Sequence, residues 1–390
     1  MTSRGRLLVL LLSAPILAFA LVGGVMGRTV AQGGESYRHL RIFEDVVTLI
    51  LNNYVEDVDV ERIMHGAMHG LADGLDPDSA YLDAEQIKAF EAGAPMPGGV
   101  GLELTRQYYL RVIAARDGSP AARAGIRPGD YVRAIDGRST RDTSVFEGMR
   151  LLAGKPGTSV RVTLLRGNAA EPHDVELVRE PVAPVKTRGR LAAPGTGYVR
   201  VAEFTRATAG ELSAETAALV KAGAARLVID LRGTAFGDLD AALAAARLFV
   251  PKGTLAFRQE RGAARQAIDA AAADGKITLP LALLIDGGTS GPAELFGAAL
   301  AGNGRAALIG ERTLGRAARQ KLVRLPNGHG LLLTHLLYLA PSGDAISEKG
   351  LTPDVAVEQP DVDFGQPLPP GDPTLDRAVE HLANAAKAAA

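Results

Sequence analysis

From Gly197 to Ile309 the sequence alternates apolar, strand-like runs with Ala-rich helical runs, and this alternation constrains the fold more than any other feature. Gly197–Ala202, Arg226–Leu231, Leu279–Ile285 and Ala306–Ile309 read as strands, with helices predicted over Ala209–Ala222, Leu239–Phe249 and Pro292–Ala301. Runs as continuously apolar as Leu279–Ile285 suit strands covered on both faces, which predicts an α/β domain built on a mainly parallel sheet. Strand-rich sequence returns from Gln320 to Tyr338.

Upstream the texture changes. Between Tyr37 and Ala92, Ile42, Phe43, Val46, Val47, Ile50 and Leu51 recur at three- and four-residue spacing, the pattern of a helix with one apolar face. The pattern breaks at Leu75-Asp76-Pro77-Asp78-Ser79 and restarts at Leu82-Asp83-Ala84-Glu85 with an acidic first turn. His65 and His69 lie one helical turn apart, but Gly66 stands where a helical metalloprotease motif needs glutamate, so no metal site is read here. A Pro/Gly linker, Ala94–Gly99, opens a compact strand-rich unit that runs to about Val182. Its turns are Arg116–Pro120, Pro128–Asp130 and Asp136-Gly137; its helices are Ala121–Ala124 and Val145–Leu152; Tyr131–Ile135 and Ser159–Arg166 are strands.

Composition then removes whole classes of function. Across 390 residues, 43 Lys+Arg face 44 Asp+Glu, so there is no basic excess with which to bind nucleic acid. The absence of cysteine excludes disulfides, thiolate metal sites, a Cys nucleophile and a lipid-modified N-terminus. Arg4 and Arg6 precede an apolar run from Leu7 to about Met26, with a small-residue Ala18-Phe19-Ala20 site inside it. That segment reads as a cleaved secretory signal or a signal anchor, and places the rest of the chain outside the cytoplasmic membrane.

Gly99-Val100-Gly101-Leu102, Ser119–Ile126 and Gly129–Gly137 follow one another as in a PDZ domain of the bacterial protease type, where a glycine-rich loop receives a peptide carboxylate. Leu75–Leu82 resembles an L-D-P-x-S-x-[FY]-L signature, Ile229-Asp230-Leu231-Arg232 a D-L-R strand, and Tyr338–Gly343 with Gly350–Asp354 a pair of downstream motifs. In this order the segments resemble the carboxyl-terminal processing proteases, the S41 peptidase family. The resemblance implies five parts: a signal or anchor at 1–30, a helical region at 37–93, a PDZ domain of small α+β type at 97–183, an α/β protease-like domain at 184–358, and a C-terminal tail with a helix at 359–390.

The resemblance also implies a Ser–Lys dyad, with the serine three residues before a helix glutamate, the lysine 25 residues later and a glutamine four further on. Laid on this chain, the glutamate is Glu294, the serine position is Gly291 and the lysine position is Arg316, 25 residues away; Gln320 keeps the glutamine. A guanidinium is always protonated and offers no acceptor, so it cannot replace the neutral amine of a lysine base. After the D-L-R strand, Phe236 replaces the first of two glycines expected to line an oxyanion hole, and Gly237 keeps the second. Ser290 is the nearest fallback nucleophile. If Arg316–Gln320 runs as a strand, Lys321 faces away from the site; His329 reads as an exposed turn and His335 as a strand residue, and neither is assigned as a base.

The expectation is therefore an extracytoplasmic pseudoprotease that binds protein C-termini or unfolded peptides through Gly99, Val100, Gly101 and Leu102, and that regulates an active relative. The alternatives are an active serine endopeptidase using Ser290 in a shifted site, and a structural scaffold of the envelope. No cofactor or metal is implied, nucleic acid is not a partner, and the inner membrane is a partner if the N-terminal segment stays uncleaved.

Overall fold

The computed structural model describes residues 37–93, 97–167, 171–360, 362–366 and 369–388; the segment read as signal or anchor lies outside them. Among the described residues no helix is long and apolar enough to cross a membrane. Compact contacts divide the chain into residues 1–68 and 69–390. In the first unit a helix spans 37–53, and on its predicted apolar stripe Ile42, Val46 and Leu51 are exposed.

The second unit contains three large sheets. The central one has six strands in the order Val355–Ala356, Ala306–Gly310, Leu281–Ile285, Arg226–Asp230, Thr196–Arg200 and Arg188–Ala193. Every pairing is parallel except the last, as the alternation predicts. Leu281–Ile285 is buried along its whole length. On one face lies the helix Pro292–Gly302, whose residues from Pro292 to Leu300 are all buried and, Glu294 apart, apolar on every side. The other face is covered by the C-terminal helix Pro373–Ala388, which sets Leu375, Ala378 and Leu382 against Val228, Ala282, Leu284 and Ile309. The segment read as a tail thus completes the α/β layer, and Arg232 ties its start to the sheet by reaching both Asp230 and Asp372.

An antiparallel sheet of five strands lies beyond the buried helix, with Gly330–Leu339 at its centre. Its hairpin Thr254–Glu260/Gln266–Asp269 carries no strong strand pattern in the sequence. Another of its strands, Ala80–Leu82, comes from the segment read as helical, pairing with Gly330–Leu332. The motif Leu75–Leu82 therefore feeds into the protease-like body, and Asp83 caps the next helix, Ala84–Ala92, by accepting from Gln86 N.

The third sheet forms the PDZ unit, in the order Leu102–Gln107, Tyr109–Ala115, Tyr131–Ile135, Ser159–Leu165, His173–Val178, with Arg138–Ser139 at the side. Helix Val145–Leu152 packs against the first strand.

Candidate active site and peptide groove

The turn between strand Leu281–Ile285 and helix Pro292–Gly302 places Gly291 at the helix N-cap with φ 56° and ψ −110°. A side chain rarely adopts that backbone, and a sharp strand–turn–helix of this kind is how folds expose a nucleophile. A Cβ at Gly291 would find Arg316 O no closer than 3.8 Å, so there is room for one. The turn has the shape of such an elbow, and glycine stands at its tip.

Glu294 organises the elbow from inside the helix. Wholly buried, it accepts from Gly291 N at 2.9 Å, Arg316 N at 2.7 Å, Gly315 N at 2.5 Å and Thr313 Oγ1 at 2.5 Å. Burial pushes its pKa above the usual carboxylate value against the pull of these four donors. A second, half-buried carboxylate, Asp286, accepts from Gly233 N, Gly288 N and Thr289 Oγ1, and so joins the elbow to the loop after Asp230.

These bonds leave no free backbone donor at residues 291–293. Gly291 N–H is spent on Glu294, the next residue is Pro292, which has no N–H, and Ala293 N donates to Ser290 O at 3.2 Å. Phe236 is engaged with the PDZ unit. It sits in a short parallel ladder with Glu203–Phe204, packs on Ile113 and Ala114 of the PDZ unit, and lies under the Arg116 guanidinium, 4.4 Å from its ring centroid. Gly237, with φ 118°, must stay glycine, since a Cβ would meet Phe204 O at 2.2 Å.

Arg316 shares the elbow through its backbone, but its side chain leads away. Nε donates to Asp78 Oδ2 at 3.0 Å, Nη2 reaches Asp78 Oδ1, Nη1 donates to Leu104 O at 3.0 Å, and Glu103 Oε1 lies 3.6 Å from Nη1. The guanidinium thus joins the Leu75–Leu82 motif to the first PDZ strand. Further ion pairs hold the PDZ unit against the same body: Arg116 with buried Glu203, and Arg200 with both oxygens of Asp117 at 2.9 Å.

Residues Gly99–Leu102 lead into the first strand of the PDZ unit and are held by backbone hydrogen bonds. Gly99 exchanges N–H and C=O with Glu180 at 2.9 and 3.0 Å, Val100 O accepts from Ala121 N, and Gly101 O from Arg116 N. Gly101 has φ 79°, and a Cβ there would overlap Ser119 Cβ at 2.2 Å. The loop opens on a cavity of about 360 Å³ lined by Leu102, Glu103, Met149, Leu152, Val182 and Phe236, among others.

Comparison with known proteins places this arrangement. Residues 195–357 match the peptidase family S41, residues 111–166 a PDZ domain, and residues 25–86 the N-terminal domain of the activating protease CtpB. The chain is 30% identical over 366 residues to a carboxy-terminal-processing protease of Bartonella bacilliformis, covering 91% of this chain and 83% of that protein. The chain belongs to peptidase family S41. A carboxy-terminal processing protease CtpA of Bacillus subtilis is 28% identical, over 91% of this chain and 78% of its own length. Among solved structures, a photosystem II D1 C-terminal processing protease matches with a TM-score of 0.69 at 28% identity, covering 81% of this chain and 86% of that one.

Within this S41 chain some details of the sequence reading hold and others differ. Arg316 lies ahead of its strand, which runs Ala318–Arg324 with an irregularity between Arg319 and Gln320, so residues 316, 318 and 320 are not successive members of one strand face. Lys321 is exposed. Gln320 turns to Thr334 Oγ1, with Nε2 3.3 Å away. His329 is not an exposed turn residue: it is half-buried, its Nδ1 2.7 Å from the Tyr81 hydroxyl. His335 is exposed on its strand. Ser290 is 2% exposed, with its N–H donated to Thr234 O. Among the described residues no group of three or more His, Cys, Asp or Glu side chains is placed to hold a metal.

Sequence reasoning missed Asp78 and Glu103, whose partner is remote in the chain, and it passed over the missing donor at Pro292, which was visible. Glu103 also gives the site a pH signature. Burial raises its pKa, Arg316 pulls it down and Asp78 adds to the rise. A folded-state pKa above the unfolded value, about 4.3, favours the protonated native form. That contribution to stability is fully present below the unfolded pKa and is lost as pH rises through the folded one. Glu103→Gln removes this titration, so urea unfolding should show the variant gaining stability relative to the parent chain as pH rises from about 4.

Proposed function

We propose that this S41 chain is a catalytically silent homologue of the carboxyl-terminal processing proteases that binds protein C-termini through its PDZ unit. The observation that carries this reading is the state of the elbow: Gly291 has no nucleophile, its N–H is spent on Glu294, and the next residue is Pro292. Neither does Arg316 supply a base, since its guanidinium stays charged between Asp78 and Glu103. Ser290 as a replacement nucleophile would have to meet a substrate carbonyl from a buried position. Binding, by contrast, keeps its parts: a carboxylate loop, an edge strand and an apolar cavity.

The apolar run after Arg4 and Arg6 supports a place outside the cytoplasmic membrane, where the chain would act on free protein ends or beside an active relative. Calorimetric titration of the full chain with a decapeptide ending in valine tests the binding. The free acid should bind at least about tenfold tighter than its C-terminal amide, because only the acid presents a carboxylate to the loop. Equal affinity for the two would overturn recognition of C-termini.

A further inference from the structure

Among the described residues the strand Leu102–Gln107 is an edge of its sheet and pairs only with Tyr109–Ala115. Its hydrogen bonds identify which of its rungs face outward. Val112 stands opposite Leu104, yet Val112 N donates to Asp130 O at 2.8 Å and Val112 O accepts from Gly129 N at 2.9 Å. Both polar groups of Val112 are thus turned away from Leu104. In an antiparallel ladder, such a non-bonded pair leaves the N–H and C=O of Leu104 facing the open edge. Gly101 O is used inward by Arg116 N, so Leu102, the next residue, also faces out. A peptide added to this edge would meet Leu102 first, beside the loop and cavity, and Leu104 second.

Leu104 O is already taken. Arg316 Nη1 donates to it at 3.0 Å, and Asp78 holds the same guanidinium by two bonds while Glu103 lies beside it. Arg316 and Asp78 side chains are 17% and 13% exposed, so the pair is largely withdrawn from water. From these contacts we infer that Arg316 caps the second outward rung and restricts the PDZ unit to the last two residues of a free C-terminus. The carboxylate sits at Gly99–Leu102 and the terminal apolar side chain enters the cavity against Met149, Leu152 and Phe236. Residues further from the end find no strand to pair with. This rests on the proposal that the groove binds C-termini, and it adds what sets the ligand length.

Calorimetry on the full chain with two free-acid peptides, an acetylated dipeptide and a decapeptide sharing the same last two residues, tests the cap. In the parent chain the two should bind within about threefold of each other, whereas an open ladder would gain about tenfold from the added backbone bonds. Arg316→Gln should tighten the decapeptide about tenfold and leave the dipeptide unchanged. A decapeptide that binds the parent chain tenfold tighter than the dipeptide would overturn the cap. Because that comparison needs no substitution, it stands even if Arg316→Gln does not fold. Failure of both peptides to bind the parent chain would instead overturn the C-terminus reading beneath it.

Discussion

Restoring the two dyad residues, Gly291→Ser with Arg316→Lys, is expected to leave the chain without measurable cleavage of an unfolded substrate. Space is not the obstacle, since a Cβ at Gly291 lies 3.8 Å from its nearest neighbour, Arg316 O. The obstacles are the charge around position 316, missing oxyanion donors and a backbone at Gly291, with φ 56°, that side chains rarely adopt. A lysine at position 316 would meet the Asp78 carboxylate that now holds Arg316, and an opposite charge at that distance favours the protonated amine, which cannot act as a base. The oxyanion would also lack donors, because Pro292 has no N–H and the Phe236 ring ties its loop to Ile113 and Ala114 of the PDZ unit. Losing one such donor costs about 10²–10³ in kcat. Cleavage should therefore emerge only when Pro292→Ala, Phe236→Gly and Asp78→Asn are added to the pair. Steady-state hydrolysis of a quenched fluorescent polypeptide across this series measures it. Turnover by the double variant at a rate that the later substitutions do not improve would refute the electrostatic account.

The second large effect concerns the ion pair itself. Asp78→Ala should destabilise the chain by about 3 kcal/mol, since removing one partner leaves a largely buried charge unpaired. Glu103 compensates little from 3.6 Å. Arg316→Met together with Asp78→Ala should cost less than the sum of the two single changes, because the pair is lost only once. Urea unfolding of the four proteins gives the coupling. Strict additivity would mean that Arg316 and Asp78 do not depend on each other and that the clamp on the PDZ strand is weak.

The parallel core was legible because its strands are continuously apolar, and in the PDZ unit Tyr131–Ile135 and Val145–Leu152 occupy the predicted residues. The positions Gly291, Glu294 and Arg316 were legible as spacing, and Glu294 does join them through its four hydrogen bonds. Asp78 was not legible as a site residue. It occupies the variable position of a motif, and its partner lies 238 residues away, a pairing set by tertiary packing and by no local pattern. Strand Ala80–Leu82 was lost inside a helical pattern for the same reason, as three residues gain strand identity only by pairing with Gly330–Leu332. Pro292 is the opposite case: as a first helical residue it is ordinary, and its meaning emerges only when the N–H groups around Gly291 are accounted for one by one.

The central claim is that no acyl transfer occurs at this elbow. The direct measurement is time-resolved cleavage of an unfolded protein substrate by the purified chain and by its Ser290→Ala variant, followed by mass spectrometry. The account predicts no time-dependent fragments from either protein. Fragments that accumulate with the parent chain and vanish with Ser290→Ala would contradict it and make Ser290 the nucleophile of a working peptidase.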